Sequence, residues 1–214
     1  MKQNFWTWWI YKPTEQEMKK GWISELYIDI DSKWHHPKSD KELLSYVDLC
    51  KKHKIKPYIM VNCFAAAHNK YKDIEQITRE AKESIDYVVD VIDAHPVLDY
   101  IRSSGDRSIP TKHIHEVIDY TVYKDPEAKS SIMSMWKSWR FNQYYKEFYK
   151  RITICPMVYG TGWLTRFWLV VHKLLYPRCE CCVRAWKTTK KEFNTQISLV
   201  DKYTIWKWND WKKL

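Results

Sequence analysis

Residues 18–33 read MKKGWISELYIDIDSK, and the reading of the fold turns on the two aspartates near their end. The run ELYIDI is rich in β-branched and aromatic residues, which reads as a strand. Side chains alternate along a strand, so Asp29 and Asp31 are expected on one face. Two neighbouring carboxylates repel each other, which raises a pKa unless a cation lies between them. A divalent metal would remove that repulsion.

The flanking sequence extends the strand into a sheet. FWTWWIY (5–11) alternates as an earlier strand, and KPYIMVNCF (56–64) reads as a later one. Between them, Ser39 and Glu42 stand at capping-box spacing, and Leu43, Leu44, Val47 and Cys50 share a helical face. Ile74, Ile77, Ala81, Ile85, Val88 and Ile92 recur in steps of three and four, which predicts an amphipathic helix. PVLDYIR (96–102) and EVIDYTVY (116–123) read as a fourth and a fifth strand. Residues 1–123 are therefore expected to form a small α/β or α+β sheet with helices on one side.

From about residue 125 the pattern changes. The stretch 125–152 reads as a helix begun near Pro126, and GTGWLTRFWLVVHKLLYP (160–177) as an apolar helix too short to span a bilayer. Residues 190–214 fit either element type. The expectation for 124–214 is a mostly helical accessory region. With only four glycines in the chain, Gly-rich phosphate-cradling loops are excluded.

Charge separates the same two parts. The net charge is +10, yet residues 1–115 hold 18 Lys and Arg against 17 acids, while 116–214 hold 18 against nine. Eight of the 13 tryptophans also lie after residue 115. Basic charge interleaved with aromatic rings suits single-stranded nucleic acid, and equally a solvated basic face over an aromatic core. No run of about 18 apolar residues occurs, and the N-terminus lacks the shape of a signal peptide, so an intracellular, cytoplasmic protein is expected. Six cysteines at 50, 63, 155, 179, 181 and 182 are then expected as thiols. Zinc spacing is present in Cys50, His53, Cys63 and His68, and in the 179–182 cluster with His172, but two buried cysteines explain the first set as well.

YKPTEQEMKKGWISELYIDID (11–31) resembles the segment leading into the first catalytic motif of the archaeo-eukaryotic primase superfamily, as in the DNA primase small subunit. The matching residues are Tyr11, Pro13, Glu17, Met18, Gly21, Trp22, Glu25, Leu26, Asp29 and Asp31. The resemblance implies an RRM-like, primase-type catalytic sheet and a primase-polymerase, a nucleotidyltransferase making primers on single-stranded DNA from NTPs or dNTPs. It implies two Mg2+ or Mn2+ ions, because in-line phosphoryl transfer uses a metal pair about 4 Å apart. In one register the metal carboxylates are Asp29, Asp31 and Asp99, with His68, Arg107, Lys112 and His113 on the nucleotide phosphates. Asp93 competes with Asp99, and a second register brings in Asp201. A large primase subunit or a replicative helicase is the implied partner.

Two rival readings stand beside it. His113 and His115 form a His-hydrophobic-His triplet, and Tyr145 and Tyr149 follow, resembling a rolling-circle endonuclease with a tyrosine nucleophile. The other rival is a single-strand-binding or primase-accessory subunit without turnover.

Overall fold

Along each strand every second side chain turns the same way, and here one of the two faces is turned into a packed interior. The structure, a computed structural model, describes residues 2–30, 37–63, 74–100, 111–133, 150–158, 162–175, 179–185, 188–206 and 208–211. Eight strands follow in chain order: β1 (Gln3–Trp8), β2 (Ile23–Asp29), β3 (Lys56–Asn62), β4 (His95–Tyr100), β5 (Lys129–Met133), β6 (Thr153–Val158), β7 (Cys181–Arg184) and β8 (Tyr203–Trp206). All neighbours pair in parallel, and β8 pairs with β1, so the sheet closes into a barrel. The helices are α1 (Glu15–Lys19), α2 (Asp40–Lys52), α3 (Ile74–Asp86), α4 (Thr111–Lys124), α5 (Trp163–Leu175), α6 (Lys190–Ser198) and α7 (Trp208–Trp211).

The strand register fixes the kind of barrel. From Asn62 it passes through Asp99 and Ser131 to Cys155, and from Met157 through Cys182, Thr204, Asn4 and Glu25 to Lys56. Met157 lies two residues beyond Cys155 and Asn62 six beyond Lys56, so one circuit descends eight residues. That is the shear of a (β/α)8 barrel, in which alternate strands fill each interior layer.

The interior is packed with aromatic rings. Trp6 stacks on Tyr27 and Tyr27 on Tyr58, each with ring centroids 4.7 Å apart. Trp6 Nε1 donates to Thr204 Oγ1 at 2.8 Å across the β8–β1 closure. Met60, Val97, Cys155 and Cys182 complete this inner cluster. The outward residues Phe5, Leu26, Ile28, Ile59, Leu98 and Ile205 are buried in the larger core that the helices share. α2 contributes Leu43, Val47 and Cys50, with Ser39 Oγ accepting from the Glu42 amide at its N-cap.

At the N-terminal end of the barrel the charges are buried. Lys129 Nζ donates to Glu25 Oε2 at 2.6 Å, to Tyr27 Oη at 2.6 Å and to Glu180 Oε2 at 2.9 Å, and lies 4.7 Å from the Tyr58 ring centre. Burial pulls the Lys129 pKa down, but the opposing pull of Cys155, Glu180 and Glu25 together leaves it raised. The same burial pushes Tyr27 well above its ordinary value, so the cluster holds one ammonium, two carboxylates and a neutral phenol.

This architecture replaces the expected small RRM-like sheet. β1 to β4, α2, α3 and α5 form where the sequence pattern places them. EVIDYTVY is not a strand but the body of α4, whose Val117, Ile118 and Thr121 are buried. The region expected to be mostly helical instead supplies β5 to β8, half of the barrel wall.

Removing Lys129 alone strands two carboxylates. Lys129→Met is expected to cost about 3–5 kcal/mol of stability, measured by urea unfolding. The triple variant with Glu25→Gln and Glu180→Gln should recover most of that loss; equal stability of the single variant and wild type would show the cluster to be energetically idle.

Candidate active site

Asp29 ends β2, two residues beyond the inward Tyr27, so it shares Tyr27's face. Asp99 stands two beyond the inward Val97 on β4 in the same way. Extending the paired register from Ile28 through Ile59 to Pro96 sets Asp29 against Val97. Climbing one residue per strand, as a shear of eight requires, brings Asp99 level with Asp29. The same steps put Met157 and Trp206 at the β6 and β8 positions of that layer. The layer thus carries two carboxylates on alternate strands at the C-terminal end of the barrel, where the active sites of such barrels sit.

Asp99 is 8% exposed, and Ser131 Oγ lies 3.1 Å from its Oδ1, placed to donate to it. Asp29 is half-buried. One step nearer the rim, Trp8 packs edge-to-face on Trp206 with centroids 5.8 Å apart, and Tyr11 is 6.0 Å from Trp8. Below, Trp206 meets Trp6 at 6.3 Å. A wall of indoles therefore rises beside the carboxylates, and the stacked rings beneath close the floor. Neighbouring strands are about 4.8 Å apart, so two strands separated by one stand about 9 Å apart at the backbone, with their carboxylates aimed inward.

Of the residues expected from the sequence, the structure brings together Asp29 and Asp99. Asp31, His68, Arg107, Tyr145 and Tyr149 lie outside the described residues. Lys112 is in the first turn of α4. Asp93 sits at a left-handed turn with φ 55° and pairs with Lys51 on the surface. Asp201 is exposed and 2.8 Å from Lys173. Trp8, Trp206 and Ser131 were not singled out by sequence; the i, i+2 repeat of Trp6 and Trp8 in FWTWW was the available signal.

His113 is not at the barrel mouth. It lies on α4 against α3, 1% exposed, beside a groove of about 580 Å3 lined by Glu75, Arg79, Lys82, Glu83 and Glu116. Thr78 Oγ1 spends its hydrogen on the Ile74 carbonyl at 2.8 Å, so it accepts from His113 Nδ1 at 2.8 Å. Nε2 then carries the lone pair and has no partner among the described residues. Burial lowers the His113 pKa against a smaller opposing pull from Glu116. His172 is held alike: Nδ1 donates to the Trp168 carbonyl at 2.7 Å, and burial again lowers its pKa. Among the described residues, no three His, Cys, Asp or Glu side chains come together as a metal-holding group, and all six cysteines are buried thiols. No helix among them is long and apolar enough to cross a membrane.

No protein-family model and no curated protein sequence matches the chain. Its fold is similar to solved barrels. A β-mannanase from Thermomonospora fusca aligns with TM-score 0.63 at 9% identity, over 97% of this chain and 78% of that one. The catalytic domain of a Thermobifida fusca endoglucanase aligns with TM-score 0.58 at 8% identity, over 96% and 78%. An N-acetylneuraminate lyase from Fusobacterium nucleatum aligns with TM-score 0.54 at 12% identity, over 95% and 69%. At such identities the likeness shows the fold alone. It overturns the primase resemblance. With the closed parallel barrel go template-directed nucleotidyl transfer, the nucleotidyltransferase assignment, and the rolling-circle and primase-accessory alternatives. The match over 11–31 is a local likeness: the matched positions from Tyr11 to Asp29 run from the turn before α1 through α1 and β2, an ordinary αβ step of the barrel wall.

The two buried histidines set a pH dependence. Their native pKa values lie below the ordinary value of about 6.5, so the unfolded chain binds protons first as pH falls. Stability should decline as pH drops from about 6.5 toward the native pKa values and level off below them. Urea midpoints at pH 7.5 and 5.5 measure this; a His113→Gln/His172→Gln variant should show a flatter slope, and an unchanged slope would assign it elsewhere.

Proposed function

We propose that this barrel cleaves glycosidic bonds, with Asp29 and Asp99 as its pair of working carboxylates. The observation that carries the reading is their placement level with each other, in one layer of the C-terminal end, beside the Trp8–Trp206 wall. Glycoside hydrolysis needs two carboxyl groups across the scissile bond, one to protonate the leaving oxygen and one to assist water or attack the sugar. Strands two apart give a backbone separation of about 9 Å, and the inward-aimed carboxyls approach each other more closely than that, within the span of a scissile bond. The anomer of the product tells inversion from retention. Sugar rings present apolar C–H faces, and indole faces offer large, flat apolar surfaces with defined geometry. The similarity of fold to a β-mannanase and an endoglucanase points the same way.

A carbon–carbon lyase using a Schiff base would need a lysine at this end. Among the described strand residues, the lysines are Lys56 and Lys129 at the opposite ends of β3 and β5. Lys129 is moreover held protonated by two carboxylates. The hydrolase reading is favoured for that reason.

The test is release of nitrophenol from a panel of α- and β-nitrophenyl glycosides, followed by the anomer of the product. Asp99→Asn and Asp29→Asn should each lower kcat by about 10²–10⁴-fold, and Trp206→Ala should act mainly on KM. Azide should restore turnover through a glycosyl azide, whose anomeric configuration identifies the missing group: opposite to the substrate for a lost base or nucleophile, the same as the substrate for a lost acid/base residue of a retaining enzyme. Full activity in both Asn variants, or no release from any glycoside by the wild type, would overturn the reading.

A further inference from the structure

α5 is built inside out. Toward the barrel it buries Thr165 and His172 with Leu169, while Trp163, Phe167 and Leu174 are 77%, 51% and 73% exposed. With 3.6 residues per turn, Trp163, Phe167, Val170 and Leu174 fall within about 60° of arc, on the side opposite the buried three. They form one apolar stripe about 17 Å long, and Leu175 is exposed at its end. An ordinary surface helix shows the reverse pattern. An aromatic and aliphatic stripe of this extent on an outer helix marks a docking surface.

The charge around the stripe selects what docks there. The described residues of 162–175 and 188–202 carry five exposed bases, Arg166, Lys173, Lys190, Lys191 and Lys202, against the acids Glu192 and Asp201. Glu192 is tied to Arg166 and Asp201 to Lys173, so the positive excess is carried by Lys190, Lys191 and Lys202. Arg166 and Lys173 border the stripe, and Lys190 and Lys191 are exposed on α6, which packs beside α5. Asp201, 2.8 Å from Lys173, is the one nearby exposed acid among these contacts. Pairing with a second copy would set a face of net positive charge against itself. A single four-residue stripe also falls short of the roughly 800 Å2 per partner that standard interfaces bury.

We propose that α5 seats this protein on the surface of anionic lipid bilayers. The helix lies in the plane of the interface, with Trp163, Phe167, Val170 and Leu174 in the headgroup and acyl boundary and the basic residues among lipid phosphates. A helix on the outside of a closed barrel is a convex ridge, and a bilayer receives a ridge without a matching pocket. This docking is independent of the chemistry at the barrel mouth.

Vesicle co-sedimentation tests it. The full chain is mixed with phosphatidylglycerol–phosphatidylcholine vesicles and, separately, with pure phosphatidylcholine vesicles, at low and at high salt. Binding is expected to the anionic vesicles, weakening with salt, and a Phe167→Ser/Leu174→Ser variant should bind at least tenfold more weakly with an unchanged Tm. Brominated lipid should quench part of the tryptophan emission, and Trp163→Leu should lose that part. Equal binding by wild type and double variant would overturn the proposal, as would no binding to anionic vesicles. A dimer in sedimentation velocity that the double variant dissolves, without vesicle binding, would give the face to a second copy.

Discussion

A descent of eight residues per circuit ties every strand of this barrel to its neighbours, and the remaining features follow from it. Closing the sheet with that stagger leaves one inward residue in two on each strand and stacks those residues in layers drawn from alternate strands. The Trp6–Tyr27–Tyr58 stack descends step by step from the middle of the barrel into the layer that holds Lys129 and Glu180, and Glu25 lies one step lower. With the interior filled by rings, a substrate can be met only at the open end. That is where the same register lifts Asp29 and Asp99 to one height. The site and the core are thus two readings of a single geometric constraint.

Sequence patterning showed the first half of the barrel and hid the second. β1 to β4 are runs of β-branched and aromatic residues, and α2 and α3 keep helical spacing, so periodicity alone finds them. β5 reads KSSIM because its inward positions hold Lys129 and Ser131, polar residues buried on partners far away in sequence. β7 and β8 are four residues each, too short for any period to emerge. α4 misleads for the opposite reason. Its β-branched and aromatic content reads as strand, although Ile114, Val117, Ile118 and Thr121 already hold the i, i+3, i+4, i+7 spacing of a buried helical face. Closure itself leaves no local trace, since it rests on pairing between β1 and β8.

The site was half visible. An acidic residue at the end of an apolar strand is a strong local signal, and both Asp29 and Asp99 carried it. Their relation to each other was not in the sequence, because it depends on stagger across β3. In sequence the neighbouring carboxylate of Asp29 is Asp31, whereas its neighbour in the barrel layer is Asp99. His113 shows the converse hazard. A histidine in a polar run looks reactive, yet Thr78 and the α3–α4 packing hold it neutral and buried.

The β8–β1 seam has a consequence for how the chain reaches this state. Trp6 and Thr204 are 198 positions apart, yet their side chains bond across the seam. During synthesis on the ribosome, β1 emerges first and keeps one edge of backbone amides and carbonyls unsatisfied until β8 has been made. A partly synthesised chain is therefore an open, curling sheet with two bare edges, the geometry that invites strands from other molecules. Chaperone dependence and aggregation of nascent chains should accordingly be concentrated in the interval before the last strand arrives.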